Sequence, residues 1–311
     1  MATLLDADLQ AVASIRQNSK GNEGADEGVA RVMECIRGVL EKGGVPADQV
    51  GGIGVGCPGV VNLRKGVLRV APNLGWKDVP IQAILQEKFK VPVSVLNDVD
   101  AGAYGEYRKG AGRKTSSMVA VFPGTGVGAA CIHSGRLLTG SRASCMELGH
   151  TRIMGSSLTA EGDIPPTLES LCSRLAIASA AAVEAFRGNA PHLLEQAGTD
   201  LEDIKSGSIA KAIDAGDRAI ENIVRNAAAL LGISVSNVVD LLAPDVVILG
   251  GGLVEKMPKL FLDQVRRAVN RCASPALAEG VDIRIAELGD KAVVIGAAAF
   301  AQDARDKENY G

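Results

Sequence analysis

Aromatic side chains are scarce in this 311-residue chain, at 3% of positions with a single Trp. A core with so few rings must be filled by Ala, Val, Leu and Ile, and hydrophobic residues make up 47% of the sequence. Buried Val/Ile strands and Ala-rich helices meet that need, which points to an α/β fold. An excess of one charge is lacking as well. The formal net charge is −3 with 22% charged residues, so no global basic field exists to gather nucleic acid or anionic lipid. No nucleic-acid partner is expected. The six cysteines (Cys35, Cys57, Cys131, Cys145, Cys172 and Cys272) show no paired spacing. That argues against a disulfide framework and for reduced, partly buried thiols in a cytosolic protein. The opening run MATLLDADLQAVAS is interrupted by Asp6 and Asp8, unlike a signal peptide. No apolar stretch of membrane-spanning length is free of polar or Gly interruptions. A soluble, cytoplasmic protein without a membrane partner is expected.

What is present is a long alternation of strand and helix patterns, enough for two domains. Residues 2–5 and 10–15 read as short strands around an Asp-rich turn. Val29, Val32, Met33, Ile36, Val39 and Leu40 share one helical face, which Gly43-Gly44 ends. GGIGVGCPGVV reads as a Gly-punctuated strand, followed by a hairpin over 62–70 and a helix over 81–89. The strand VPVSVLND leads into a helix over 101–109, and the polar stretch 110–116 reads as a hinge. Strands SMVAVF, AACI and RLLTG follow, then a long helical region over 167–242 broken near 188–207. The strand VVILGGG, a helix over 257–273, the strand VDIRIAEL and an Ala-rich helix from residue 290 complete the chain.

The second half opens strand, Gly-Thr-Gly turn, strand, tight turn, strand. The first half opens at ATLLDADLQAVAS, which matches only the second strand, tight turn and third strand. As a pseudo-repeat, the first half lacks the opening strand and its turn. That strand would lie inside its sheet, so its neighbours are expected to carry unpaired backbone groups.

Several clusters could carry chemistry. Asn97-Asp98 closes an apolar strand, the end at which ligands gather in open α/β sheets. Asp98 there can take a proton from a substrate hydroxyl attacking phosphorus; Asp is equally a favoured helix N-cap. Gly124-Thr125-Gly126 leaves backbone N–H groups open to a phosphate, and is also an ordinary Gly hairpin. It is not a Walker A loop. Gly250-Gly251-Gly252 would let a purine or ribose approach the backbone, or simply makes a tight strand-to-helix turn. Glu147 and His150, three residues apart, could touch one small ligand or a metal. A lone Glu-His pair is more often a surface or core feature. No cysteine pair with zinc spacing follows, so a structural zinc is not expected.

In order, GIGVGCPGVV, APNLGW, VLNDVDAGAYGEY, FPGTGVGAACI, ELGH, LAPDVVILGGG and GDKAVVIGAAAFA resemble the ROK family of sugar kinases and repressors, glucokinases in particular, over almost the whole chain. The resemblance implies a two-lobed actin-like ATPase (ribonuclease H-like) hexokinase fold that closes over sugar and ATP. Residues 1–114, joined by a C-terminal helix over 297–311, would form the smaller lobe and 115–296 the larger. It implies ATP-dependent phosphorylation of a hexose, most readily glucose, in glycolysis, with Asp98 as base. Asn73, Asn97, Glu147, His150 and Glu169 are implied as sugar ligands, with the Pro58-Gly59 turn beside Asn73. Gly124, Thr125 and Gly126 are implied to hold phosphate, and Gly250, Gly251 and Gly252 adenosine. Other hexoses, N-acylmannosamine among them, and polyphosphate as donor stay open. Mg2+ is the implied cation, and a dimer or tetramer the implied assembly. Two departures matter. The family's opening strand with its DxGGT turn is not found, which leaves a non-catalytic sugar-binding relative as the alternative. The cysteines of its CxCGxxGCxE zinc cluster are replaced by Ala160, Gly162 and Thr167, with loop 155–166 expected to be ordered differently. A repressor is disfavoured, since no room for a helix-turn-helix domain is seen.

Overall fold

The structure, a computed structural model, describes residues 1–18, 21–141, 145–153 and 165–310. The chain divides into two compact units. Met1–Lys114, Ser134–Cys145 and Asp290–Gly311 form the first; Thr115–His133 and Met146–Gly289 form the second.

The first unit opens with β1 (Ala2–Leu5) and β2 (Ala11–Ile15), an antiparallel pair. The Asp6 carboxylate shapes their turn, accepting the N–H groups of Asp8 and Gln10 at 2.9 and 2.8 Å. Helix α1 (Ala25–Gly43) buries Val29, Val39 and Leu40 of the expected face, half-buries Val32, Met33 and Ile36, and also buries Cys35. It passes close over the only Trp: a Cβ on Gly28 would lie 2.0 Å from the Trp76 ring. Then come β3 (Ile53–Cys57), the meander β4 (Val60–Asn62), β5 (Val67–Ala71) and β6 (Trp76–Val79), α2 (Ile81–Phe89), β7 (Val93–Asn97) and α3 (Asp98–Lys109). β3 and β7 run parallel, in register from Ile53 opposite Val93 to Cys57 opposite Asn97. Among the described residues, β1 pairs only with β2 and β3 only with β7.

The second unit starts with β8 (Met118–Pro123) and β9 (Val127–His133); the two-residue β10 (Arg136–Leu137) belongs to the first unit. The helical region expected over 167–242 resolves into α4 (Leu168–Cys172), α5 (Arg174–Phe186), α6 (Pro191–Ala197), α7 (Ser206–Asp214) and α8 (Arg218–Leu242). β11 (Val246–Leu249), α9 (Gly251–Lys256), α10 (Pro258–Cys272), α11 (Pro275–Gly280) and β12 (Asp282–Ile285) follow. β8 is central, antiparallel to β9 on one side and parallel to β11 on the other, with β12 parallel beyond. All four residues of β11 are buried, as expected of a strand covered on both faces. α8 is long and apolar enough to cross a membrane by length and composition. Its Val224, Ala228, Leu231 and Val235 are instead packed into the core of this unit.

The closing helix α12 (Ala292–Tyr310) returns to the first unit. Glycines set its close approach: a Cβ on Gly296 would stand 1.7 Å from the Ala101 carbonyl oxygen of α3, and one on Gly54 of β3 2.0 Å from that of Ala297. Asp303 of α12 also accepts hydrogen bonds from Tyr104 and Arg108 of α3.

Candidate active site

In the first unit, Asn97 and Asp98 sit where parallel β3 and β7 end. α3 begins at Asp98 rather than at residue 101, and its N-cap is Asn97. The Asn97 Oδ1 accepts from the Val99 and Asp100 N–H groups at 2.8 and 3.3 Å. Its Nδ2 donates to the Gly59 carbonyl at 2.7 Å. Capping is therefore the work of Asn97, and Asp98 is left with one local bond, from the Val99 N–H at 3.0 Å. Burial pushes the Asp98 carboxyl above the ordinary carboxylate range, while backbone N–H groups at the helix start pull it back. Beside it the Cys57 thiol is pushed up to about 12, by burial first and by the Asp98 charge second. Gly59, at φ 95°, lies against β5, where a Cβ would be 2.2 Å from the Val70 carbonyl oxygen. Asn73 follows on the turn Pro72–Leu74, exposed.

In the second unit the remaining residues converge on Val127, which sequence reasoning did not single out. Its N–H donates to the Glu169 Oε2 at 2.8 Å. Its carbonyl faces Gly149, where a Cβ would be only 2.3 Å from the oxygen. Gly149 lies on the turn Leu148–His150, with Glu147 at its N-cap and the His150 N–H donating to the Glu147 carbonyl at 3.0 Å. Glu147 and His150 are both exposed. The Leu168 N–H donates to the Thr151 carbonyl at 2.9 Å, tying α4, and with it Glu169, to the same turn. The only legible signal for this joint was the glycine inside ELGH.

Val127 also closes the turn Gly124-Thr125-Gly126. Within the turn the Gly124 N–H donates to the Gly126 carbonyl at 2.8 Å, and the Arg174 N–H of α5 donates to the Gly124 carbonyl at 2.8 Å. A Cβ on Gly124 would project into open space. The N–H groups of Thr125 and Gly126 and the Thr125 hydroxyl remain as donors among the described residues, a fit for phosphate oxygens. Gly250-Gly251-Gly252 adjoins it. A Cβ on Gly250 would reach the Phe122 ring at 2.8 Å, and Gly251, at φ 81°, lies against the Pro123 carbonyl. The two glycine turns thus meet at the end of β8.

Among the described residues no three His, Cys, Asp or Glu side chains stand close enough to hold a metal ion. A Mg2+ ion would take most of its shell from phosphate and water, as that cation ordinarily does. Loop 155–166 lies outside the described residues up to position 164, and so do Ala160 and Gly162. Thr167 caps α4, its side chain accepting from the Ser170 N–H at 3.2 Å.

The sequence profile of the ROK family matches residues 1–304. A glucokinase of Halalkalibacterium halodurans is 32% identical over 250 residues, 79% of this chain and 74% of that one. A xylose repressor of Caldicellulosiruptor bescii is 30% identical over 284 residues, 91% of this chain and 70% of that one. The crystal structure of a ROK family glucokinase from Streptomyces griseus, in complex with glucose and AMPPNP, superposes with a TM-score of 0.81 at 26% identity, covering 97% of this chain and 95% of the other. The structural neighbours include ROK sugar kinases of the actin-like ATPase fold, which this chain shares. With the family profile spanning nearly the whole sequence, the chain belongs to the ROK family.

Proposed function

We propose that this protein transfers the terminal phosphoryl group of ATP to a hexose hydroxyl, with glucose as the preferred acceptor. The observation that carries this reading is the division of labour at the end of β7: Asn97 caps the helix, so Asp98 is free to act as base. Asp98 takes the proton of the sugar 6-hydroxyl as that oxygen forms its bond to phosphorus, and the bond to the ADP oxygen breaks. Thr125 and Gly126 N–H groups hold phosphate oxygens, and Gly250, Gly251 and Gly252 admit the nucleoside. Bound with ATP, a Mg2+ ion would supply neutralisation of the phosphate charge. Asn73, Asn97, Glu147, His150 and Glu169 orient the sugar hydroxyls, Glu169 through Oε1, since Oε2 already holds Val127. Glucose as acceptor is supported by the PNLGW segment and by the glucokinase relatives.

ADP release measured with glucose, N-acetylmannosamine, allose and fructose in parallel tests the proposal. Glucose is expected to give the highest kcat/KM, and Asp98→Asn to lower kcat by about 10²–10⁴-fold. Near-normal turnover by Asp98→Asn would remove the base from the mechanism. The xylose repressor relative supports a second reading, a sugar-binding protein without turnover. Calorimetric glucose binding with no ADP release would establish that one instead.

A further inference from the structure

Three segments of the second unit close a ring at the end of β8, and Arg174 joins two of them. Its main-chain N–H donates to the Gly124 carbonyl at 2.8 Å, and its Nη1 donates to the Ile204 carbonyl at 3.3 Å. Two residues beyond Ile204, the Ser206 hydroxyl stands 3.5 Å from where a Cβ on Gly252 would be, and Gly251 lies against the Pro123 carbonyl. Arg174 thus spans from the turn Gly124-Thr125-Gly126 to the segment that faces Gly252. It has no part in capping its helix: Ser173 caps α5, its Oγ accepting the Ala176 N–H at 3.2 Å.

The charge of this side chain has no counterpart. Arg174 is half-buried, and among the described residues it pairs with no carboxylate. Glu169, against Gly126, is turned to the Val127 N–H through Oε2. Asp203, next to Ile204, is exposed and makes no ion pair with it. Position adds to the cost. Arg174 is the first residue of α5, whose first turn holds no acidic residue, and the positive end of a helix disfavours a cation. A guanidinium is therefore drawn partly out of water for one neutral carbonyl. Lys205, exposed on the facing segment, adds a second positive charge. An anion offsets such an arrangement, and the guanidinium fork matches phosphate oxygens.

We propose that Arg174 binds the phosphate chain of the nucleotide donor at the phosphate adjoining the nucleoside, while the Thr125 and Gly126 N–H groups hold the phosphates beyond it. The placement follows from the ring, since the guanidinium reaches from the phosphate turn toward the wall made by Ser206 and Gly252. This rests on the donor site proposed above and adds a charged ligand that neither glycine turn supplies.

Arg174→Met and Arg174→Lys leave the main-chain bond to Gly124 in place, so both test the side chain. Calorimetric binding of ADP with Mg2+, and of adenosine, each at several KCl concentrations, separates the possible roles. Arg174→Met should weaken ADP binding roughly tenfold or more and adenosine binding less than about twofold. Its ADP affinity should also fall less steeply with salt than that of the parent, and Arg174→Lys should recover part of the lost affinity. Melting temperatures without ligand establish that the variants fold; should Arg174→Met not fold, Arg174→Gln carries the same expectations. Equal weakening of ADP and adenosine, or a salt dependence unchanged from the parent, would make the guanidinium a strut for residues 204–206 and overturn the proposal. Unchanged ADP binding by the variant would overturn it too, with the donor site left standing. A parent chain that binds neither ADP nor adenosine would sink the donor site and this ligand together.

Discussion

Asn97 holds Gly59 by a 2.7 Å hydrogen bond from its Nδ2 to the Gly59 carbonyl, while its Oδ1 caps helix α3. One amide thus ties the β3–β4 turn to the helix that begins with Asp98. Asn97→Ala should lose about 1–2 kcal/mol, from one cap and one hydrogen bond. Asn97→Asp keeps the cap but sets a carboxylate oxygen against the Gly59 carbonyl, and should also be less stable than the parent. Urea melts of both variants check this. An Asn97→Asp protein as stable as the parent would show that the Gly59 bond contributes nothing.

Asp98 carries a pH signature. Its carboxyl is pushed up by burial, so the folded state binds the proton more tightly than the unfolded chain. The stabilising contribution of protonated Asp98 is therefore full below the ordinary Asp value of about 3.9 and is lost as pH rises through the higher folded value. Asp98→Asn should melt above the parent at pH 7, with the difference shrinking toward about pH 4. A base must be ionised, so the acid limb of kcat/KM should fall at a pH above that ordinary value. A stability difference that is constant from about pH 4 to pH 8 would contradict both statements.

Val127 joins the glycine turn to the ELGH turn. Glu169→Ala leaves the Val127 N–H without its carboxylate partner and should cost about 1–3 kcal/mol. Glu169→Gln retains an acceptor and should recover most of that stability. Gly149→Ala drives a Cβ toward the Val127 carbonyl and should lose about 1–3 kcal/mol as well. Thermal melts of the three variants measure this. An unperturbed Gly149→Ala would mean that the two turns are free to separate.

The thiols should differ sharply in reactivity. Cys57 and Cys172 are buried and both pushed up to about 12, so neither offers thiolate at neutral pH. Cys272 is exposed. Iodoacetamide followed by mass spectrometry should label Cys272 within minutes in the native protein, and Cys57 and Cys172 only after unfolding. Rapid native labelling of Cys57 would show that the neighbourhood of Asp98 is open to solvent.

Much of the secondary structure was legible because burial leaves a period in the chain. The apolar run Val246–Leu249 reads as a doubly covered strand and is one, and the face of Val29, Val39 and Leu40 reads as helix and is buried. The start of α3 was misplaced by three residues, because Asn97 and Asp98 are both good caps. Only the hydrogen bonds show that Asn97 has the cap. The helical region read over 167–242 with a break near 188–207 became five helices, α6 falling within the expected break, since Ala-rich sequence continues a helical pattern across turns that tertiary packing breaks.

Sequence by itself determined the class of fold and the residue types at the strand ends, because both are written in local pattern and order. Tertiary structure alone decided which atoms are left free. It assigned the cap to Asn97 and so released Asp98, and made Val127 the joint between Glu169 and Gly149. The Val127 joint and the Asn97–Gly59 tie depend on contacts tens of positions apart, and the cap on which of two adjacent side chains turns back onto the helix start. A hydrogen bond from Asn97 to Gly59, or a carbonyl of Val127 pressed on Gly149, has no counterpart in periodicity or composition.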